Sequence, residues 1–184
     1  MKAATIISSL AALAAPALAA PFVTRDAATP FTAVAIHSGS AIQFSPINAN
    51  GTTIWLNRAS ATYTPTGLGP FNQTATVFVG GNDTLSLDVA TPGGQQVYVD
   101  AAGYLRFTVA HSANTGVGSK TTGFGFRGND LTFEGQDWIA CPYGSVDNAY
   151  NVYAAAVAGD ASEACLGFAF YTSPATGGVA FEYE

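Results

Sequence analysis

The sequence predicts an all-β fold: a single-domain antiparallel β-sandwich or jelly-roll-like barrel built from successive hairpins. Three observations carry this. Apolar residues recur at every second position in short runs, which is the period of a strand with one buried face. Gly, Pro and Asn break the chain between those runs, and the 184 residues include 20 Gly and 9 Pro. No stretch sustains the 3.6-residue period of an amphipathic helix. Many short strands with frequent turns build a sandwich or a barrel.

The elements follow in order. Residues 31–37 read as a first strand, with Val34 and Ile36 on one face. Residues 41–47 read as a second, with Ile42 and Phe44 inward and Pro46 marking a bulge or edge. Asn48-Ala49-Asn50-Gly51 signals a hairpin, because Asn-Gly suits a type I′ turn. Residues 52–56 return with Ile54 and Leu56 inward and Trp55 on the other face. Pro65, Gly67, Gly69 and Pro70 make residues 58–74 a long connection. Residues 76–79 and 84–89 read as a hairpin turning at Gly80-Gly81-Asn82-Asp83.

The clearest unit is 91–114, TPGGQQVYVDAAGYLRFTVAHSAN. Val97 and Val99 alternate with Gln96, Tyr98 and Asp100; Leu105, Phe107 and Val109 alternate with Tyr104, Arg106 and Thr108. Gly103 supplies the positive φ that a tight turn between the halves needs. By parity His111 falls on the buried side if the strand runs that far. Residues 115–122 form a Gly/Ser/Thr loop. Phe124 and Phe126, then Leu131 and Phe133, flank a turn at 127–130. Residues 138–141, 150–156, 165–172 and 179–183 complete the strands, with one helical turn expected at 161–165.

The N-terminus predicts the compartment. Met1-Lys2 is a short basic start, residues 3–15 are small and apolar, and Pro16-Ala17-Leu18-Ala19 ends in an A-x-A cleavage pattern. This reads as a secretory signal peptide over 1–19, a loose leader over 20–30 and one domain over 31–184. In an oxidising compartment Cys141 and Cys165, the only cysteines, should pair. Closing that loop is worth about 3–4 kcal/mol in the chain-entropy model. Sequons at Asn50, Asn72 and Asn82 are N-glycosylation candidates, two of them in predicted turns.

Composition removes several functions. Six Lys and Arg against twelve Asp and Glu give a net charge of −6. That leaves no basic patch for nucleic acid or an anionic membrane. No cofactor motif and no phosphate loop is present. A metal site needs convergent His, Cys or carboxylates, and only His37 and His111 exist, far apart in sequence. A copper-dependent polysaccharide oxygenase begins its mature chain with His, whereas cleavage after residue 19 leaves Ala20. His111-Ser112 places the two side chains on opposite faces of a strand, which does not suit a triad. Among the carboxylates, Glu134 and Asp137 beside Trp138 are the most site-like for sugar hydrolysis. An exposed acid pair beside a core Trp is the preferred reading. The outward aromatics Trp55, Tyr98 and Tyr104, together with Trp138, are the candidate glycan contacts. The chain reads as no enzyme, with catalytic residues none, metal none and cofactors none.

Several stretches resemble the PhiA (phialide protein A) family of fungal cell-wall proteins. They are HSGSAIQFSPINANG at 37–51 with Trp55-Leu56, LSLDVATPGGQQVYV at 85–99, GYLRFTVAHSA at 103–113, WIACPYG at 138–144 and CLGF at 165–168. The resemblance implies a secreted, glycosylated, non-catalytic wall protein of filamentous ascomycetes. It also implies association with phialide and conidium development, IgE-binding relatives, and wall polysaccharide or other wall proteins as partners. Many relatives have Cys-Pro where this chain has Thr64-Pro65 and Gly69-Pro70, so one disulfide of those relatives is not expected here. The alternatives from the residues are a carbohydrate-binding module or a host-directed effector.

Overall fold

A computed structural model of the chain describes residues 29–69, 71, 74–144, 148–159, 162–175 and 179–184. The expected signal peptide, nearly all of the expected leader, and the Asn72 sequon lie outside the described residues. The strands are β1 (Phe31–Ile36), β2 (Ile47–Asn50), β3 (Thr53–Leu56), β4 (Thr62–Tyr63), β5 (Phe78–Leu87), β6 (Gln95–Val99) and β7 (Leu105–Phe107). They continue with β8 (Thr122–Arg127), β9 (Asp130–Phe133), β10 (Trp138–Pro142), β11 (Tyr150–Ala154), β12 (Leu166–Pro174) and β13 (Glu182–Tyr183). A single helical turn, α1 (Ala155–Ala158), follows β11.

The fold is all-β, and the sheet closes on itself. Nine strands form an antiparallel barrel in the order β12, β10, β11, β3, β7, β6, β5, β8, β9. Strand β9 returns to β12 through Leu131↔Phe170 and Asp130↔Tyr171. Strand β1 pairs along its length with β12 and meets β5 at Phe31↔Phe78. Closure removes the exposed hydrogen-bonding edges that an open sheet must otherwise protect.

The interior is packed with side chains. Phe31, Phe78, Phe170 and Trp138 are fully buried, with ring centroids 5.6–5.8 Å apart along the series. Trp138 is satisfied inside the core because its indole N–H donates to the Leu131 carbonyl at 2.7 Å. Around these rings sit Leu85, Val97, Val99, Leu105, Phe107 and Leu131, the inward positions of their strands. The Cys141–Cys165 disulfide is formed. It joins β10 to the start of β12, two strands that are already paired.

The C-terminal segment covers one end of the barrel. β13 pairs with β4, and the Ala90 and Thr91 amides donate to the Ala180 and Phe181 carbonyls. Gln95, 1% exposed, ties it inward: its amide nitrogen donates to the Thr108 and Tyr183 carbonyls, and its oxygen accepts from the Tyr183 amide. The Tyr183 hydroxyl accepts from the Val77 amide at 3.0 Å. Beside this seat, burial raises the Asp88 carboxyl above the usual carboxylate range. An acid whose folded pKa is raised adds stability while protonated and loses it as pH rises through that pKa. Asp88→Asn should therefore melt higher than the parent at pH 7 and gain nothing at pH 3. Melting curves at the two pH values check this, and a gain confined to pH 3 would reverse the assignment.

Five sequence expectations are corrected. The turn expected at residues 80–83 is the middle of β5, which runs unbroken from Phe78 to Leu87 and bends at Gly80 and Gly81, with φ of +100° and +92°. Gly-Gly bends a strand as readily as it reverses one. Phe44 does not point inward; residues 41–44 are a turn and its ring is 68% exposed. Val109 and His111 are also exposed, because β7 stops at Phe107. The β2–β3 hairpin turns at Gly51-Thr52, both at φ +62°, one residue later than Asn50-Gly51. The single helical turn falls at 155–158, and not in the described part of 161–165. Val34 and Ile36 do share a face, but the inward face of β1 is Phe31, Ala33 and Ala35.

Candidate functional site

The site begins at the β6–β7 hairpin. Tyr98 and Arg106 are cross-strand partners on its outer face, and Tyr98 stands between Val97 and Val99, which fill the core. Asp100 ends β6 and caps the turn: Oδ1 accepts from the amides of Ala102 and Tyr104 at 2.9 and 3.0 Å. Its Oδ2 accepts from Arg106 Nε at 2.6 Å. Arg106 Nη1 reaches Thr53 on β3, and its guanidinium lies 4.9 Å from the Tyr104 ring centroid. Tyr104 in turn contacts Tyr153 on β11, with ring centroids 4.2 Å apart.

Residues 115–119 fold over this hairpin and leave a groove of about 410 Å³ between loop and strands. Lys120 fastens the loop, exchanging backbone hydrogen bonds with Val99. Burial raises the Tyr98 phenol above its ordinary value, opposed by the Arg106 charge and reinforced by Asp100. Burial also raises the Tyr153 phenol, and its hydrogen bond with Tyr104 adds to the shift. Both phenols are neutral in any mildly acidic or neutral medium. The groove thus presents hydroxyls and one joined ion pair.

The aromatic residues picked from sequence are distributed differently. Trp138 is fully buried, which removes it from any surface role. Trp55 is 7% exposed, covered by Tyr143 and by the Arg58 guanidinium 4.8 Å from its ring. Tyr98 is 8% exposed and Tyr104 half-buried. Parity placed Trp55 and Tyr98 on the outer face, yet parity cannot see loops that fold over that face. Among the described residues the exposed rings are Phe44 in the turn before β2, Tyr63 on β4, Tyr143 just after β10 and Tyr171 on β12. The carboxylates Glu134 and Asp137 each carry their own cation, Lys120 at 2.7 Å and Arg127 respectively. Among the described residues no group of His, Cys, Asp and Glu is arranged to hold a metal ion. His37 Nδ1 donates to the Gly167 carbonyl, while His111 is remote and exposed. Asn50 is half-buried with its amide nitrogen on the Ala59 carbonyl, and Asn82 is exposed on β5.

A profile of the PhiA-like secreted protein family matches residues 31–184, from the first residue of β1 to Glu184. The chain belongs to that family. Among its PhiA relatives, the "Cell wall protein phiA" of Aspergillus niger is 35% identical over 76% of this chain and 77% of its own. The protein of the same name from Emericella nidulans is 31% identical over 98% of both chains. An "Uncharacterized secreted protein" of Arthroderma benhamiae is 40% identical over 60% of this chain, a match that spans 57% of that relative. No solved structure matches. Membership in this secreted family agrees with the disulfide.

Proposed function

We propose that this protein is a non-catalytic structural component of the fungal cell wall, associated with phialide and conidium development. The observation that carries the reading is the family match over the whole of the barrel, with relatives named as cell wall proteins. The structure supports it through rigidity: a closed barrel, a disulfide and a tied C-terminal segment suit a protein that persists in a wall. Residues 1–19 act as the signal peptide and 20–30 as a leader ahead of the domain. The partners are wall polysaccharides or other wall proteins, met through a surface of low charge density.

Fractionating a fungal culture tests this. A tagged copy should appear in alkali-extracted or glucanase-released wall fractions of hyphae and conidia. Recovery from the medium alone would defeat the wall assignment. Deletion should lower the yield of phialides and conidia, and normal conidiation would remove the developmental part.

The two described sequons differ in accessibility. Asn82 should carry glycan on nearly every molecule, while Asn50, whose acceptor nitrogen is already engaged, should carry it on few. Peptide mass spectrometry after enzymatic deglycosylation in heavy-oxygen water reads both; fuller occupancy of Asn50 would contradict the expectation.

A further inference from the structure

The groove between the β6–β7 hairpin and residues 115–119 has a chemistry that selects its ligand. It contains one carboxylate and one guanidinium, joined to each other and partly shielded, with side chains 19% and 32% exposed. An anion entering it meets Asp100, and a cation meets Arg106. A neutral molecule with adjacent hydroxyls meets neither obstacle, because one hydroxyl can donate to the carboxylate while its neighbour accepts from the guanidinium. Two of the five guanidinium N–H groups are engaged, by Asp100 and Thr53, and the others remain for a ligand.

Tyr98 gives the second, independent indication. Its ring is packed away and it lines the groove, while its hydroxyl stays accessible there and bonds to no group among the described residues. A hydroxyl that no protein group engages and that opens on the groove is free to bond a ligand there. The polar groups are also held in place beforehand. Two turn amides fix Asp100, the Tyr104 ring backs Arg106, and the β6–β7 ladder sets their spacing. Such preorganisation lowers the cost of ordering on binding. The volume lies within the range of small-molecule sites, toward its lower end.

We propose that this groove binds a neutral sugar unit of a glycan chain, held by the Asp100–Arg106 pair and the Tyr98 hydroxyl. The inference rests on the wall reading for the source of the glycan, and it goes beyond it by naming the residues and the charge class.

The full mature chain should be titrated with soluble oligosaccharides of β-glucan, chitin and mannan. Oligogalacturonate and chitosan oligomers serve as the anionic and cationic arms. Calorimetry should show saturable binding of at least one neutral oligosaccharide and none of either charged one. Tyr98→Phe removes a hydroxyl that holds nothing in the fold, so it should melt as the parent does and bind about fivefold to tenfold more weakly. Val117→Glu, at a 99% exposed rim position, should weaken binding without touching the core. Phe44→Ala, outside the groove, should change nothing. Binding of no neutral oligosaccharide, preference for a charged one, or equal affinity in the parent and Tyr98→Phe would each overturn the proposal. A wall-bound fraction without oligosaccharide binding defeats the groove and leaves the wall reading standing. Binding without a wall-bound fraction does the reverse.

Discussion

Gln95→Leu should cost about 3–5 kcal/mol, a third or more of the stability of an ordinary domain. The side chain is almost fully buried, and every polar atom it has is used. Leucine has similar bulk, so little packing is lost. What remains are the Tyr183 amide, the Tyr183 carbonyl and the Thr108 carbonyl without their partner. Each such buried group costs about 1–3 kcal/mol when its partner is removed and no water replaces it. Tyr183→Phe provides the companion, since it leaves the Val77 amide without its acceptor. The two substitutions loosen the same segment, so their combined cost should fall short of the sum by at least about 0.5 kcal/mol. Urea unfolding of the single and double variants measures all three values. Amide exchange at Ala90 and Thr91, which are bonded to the same segment, should quicken in step. A Gln95→Leu protein within about 1 kcal/mol of the parent would show that the C-terminal segment is not held there.

Local pattern and long-range closure were unequally visible before the structure. The strands around 95–107, 122–133 and 138–142 follow directly from alternation, because each is bounded by a turn that only local residues control. The disulfide follows from having only two cysteines. The barrel's closure depends on β9 meeting β12, forty residues apart in sequence, and no local period encodes that pairing. The same limit explains the aromatics. Alternation correctly set Tyr98 opposite Val97, but its burial comes from elements remote from its own strand. The outward position of Asp100 followed from alternation, whereas its Arg106 partner and the facing loop required the fold. Glycine was the most misleading signal, since Gly80-Gly81 bends a continuous strand where Gly128 takes part in a reversal.

Gly80→Ala should be among the most damaging single-methyl additions the chain can receive, lowering stability by about 2–4 kcal/mol and the midpoint by roughly 5–15 °C. Two costs combine. At φ +100° an L side chain is strained whatever surrounds it. The added Cβ would also lie 2.6 Å from the Thr84 carbonyl oxygen, which is backbone and cannot rotate away. The strand must then open at its bend, just where β5 passes from β1 to β8 and β6 and where barrel closure depends on its course. Gly93→Ala separates the two costs. It has a similar φ of +89° with nothing within 4 Å of the new methyl, so it should lose only about 1–2 kcal/mol. Thermal unfolding of both variants under one set of conditions gives the comparison. Equal losses would mean that the backbone at Gly80 can relax away from Thr84, and that the tight bend of β5 is not what keeps glycine at this position.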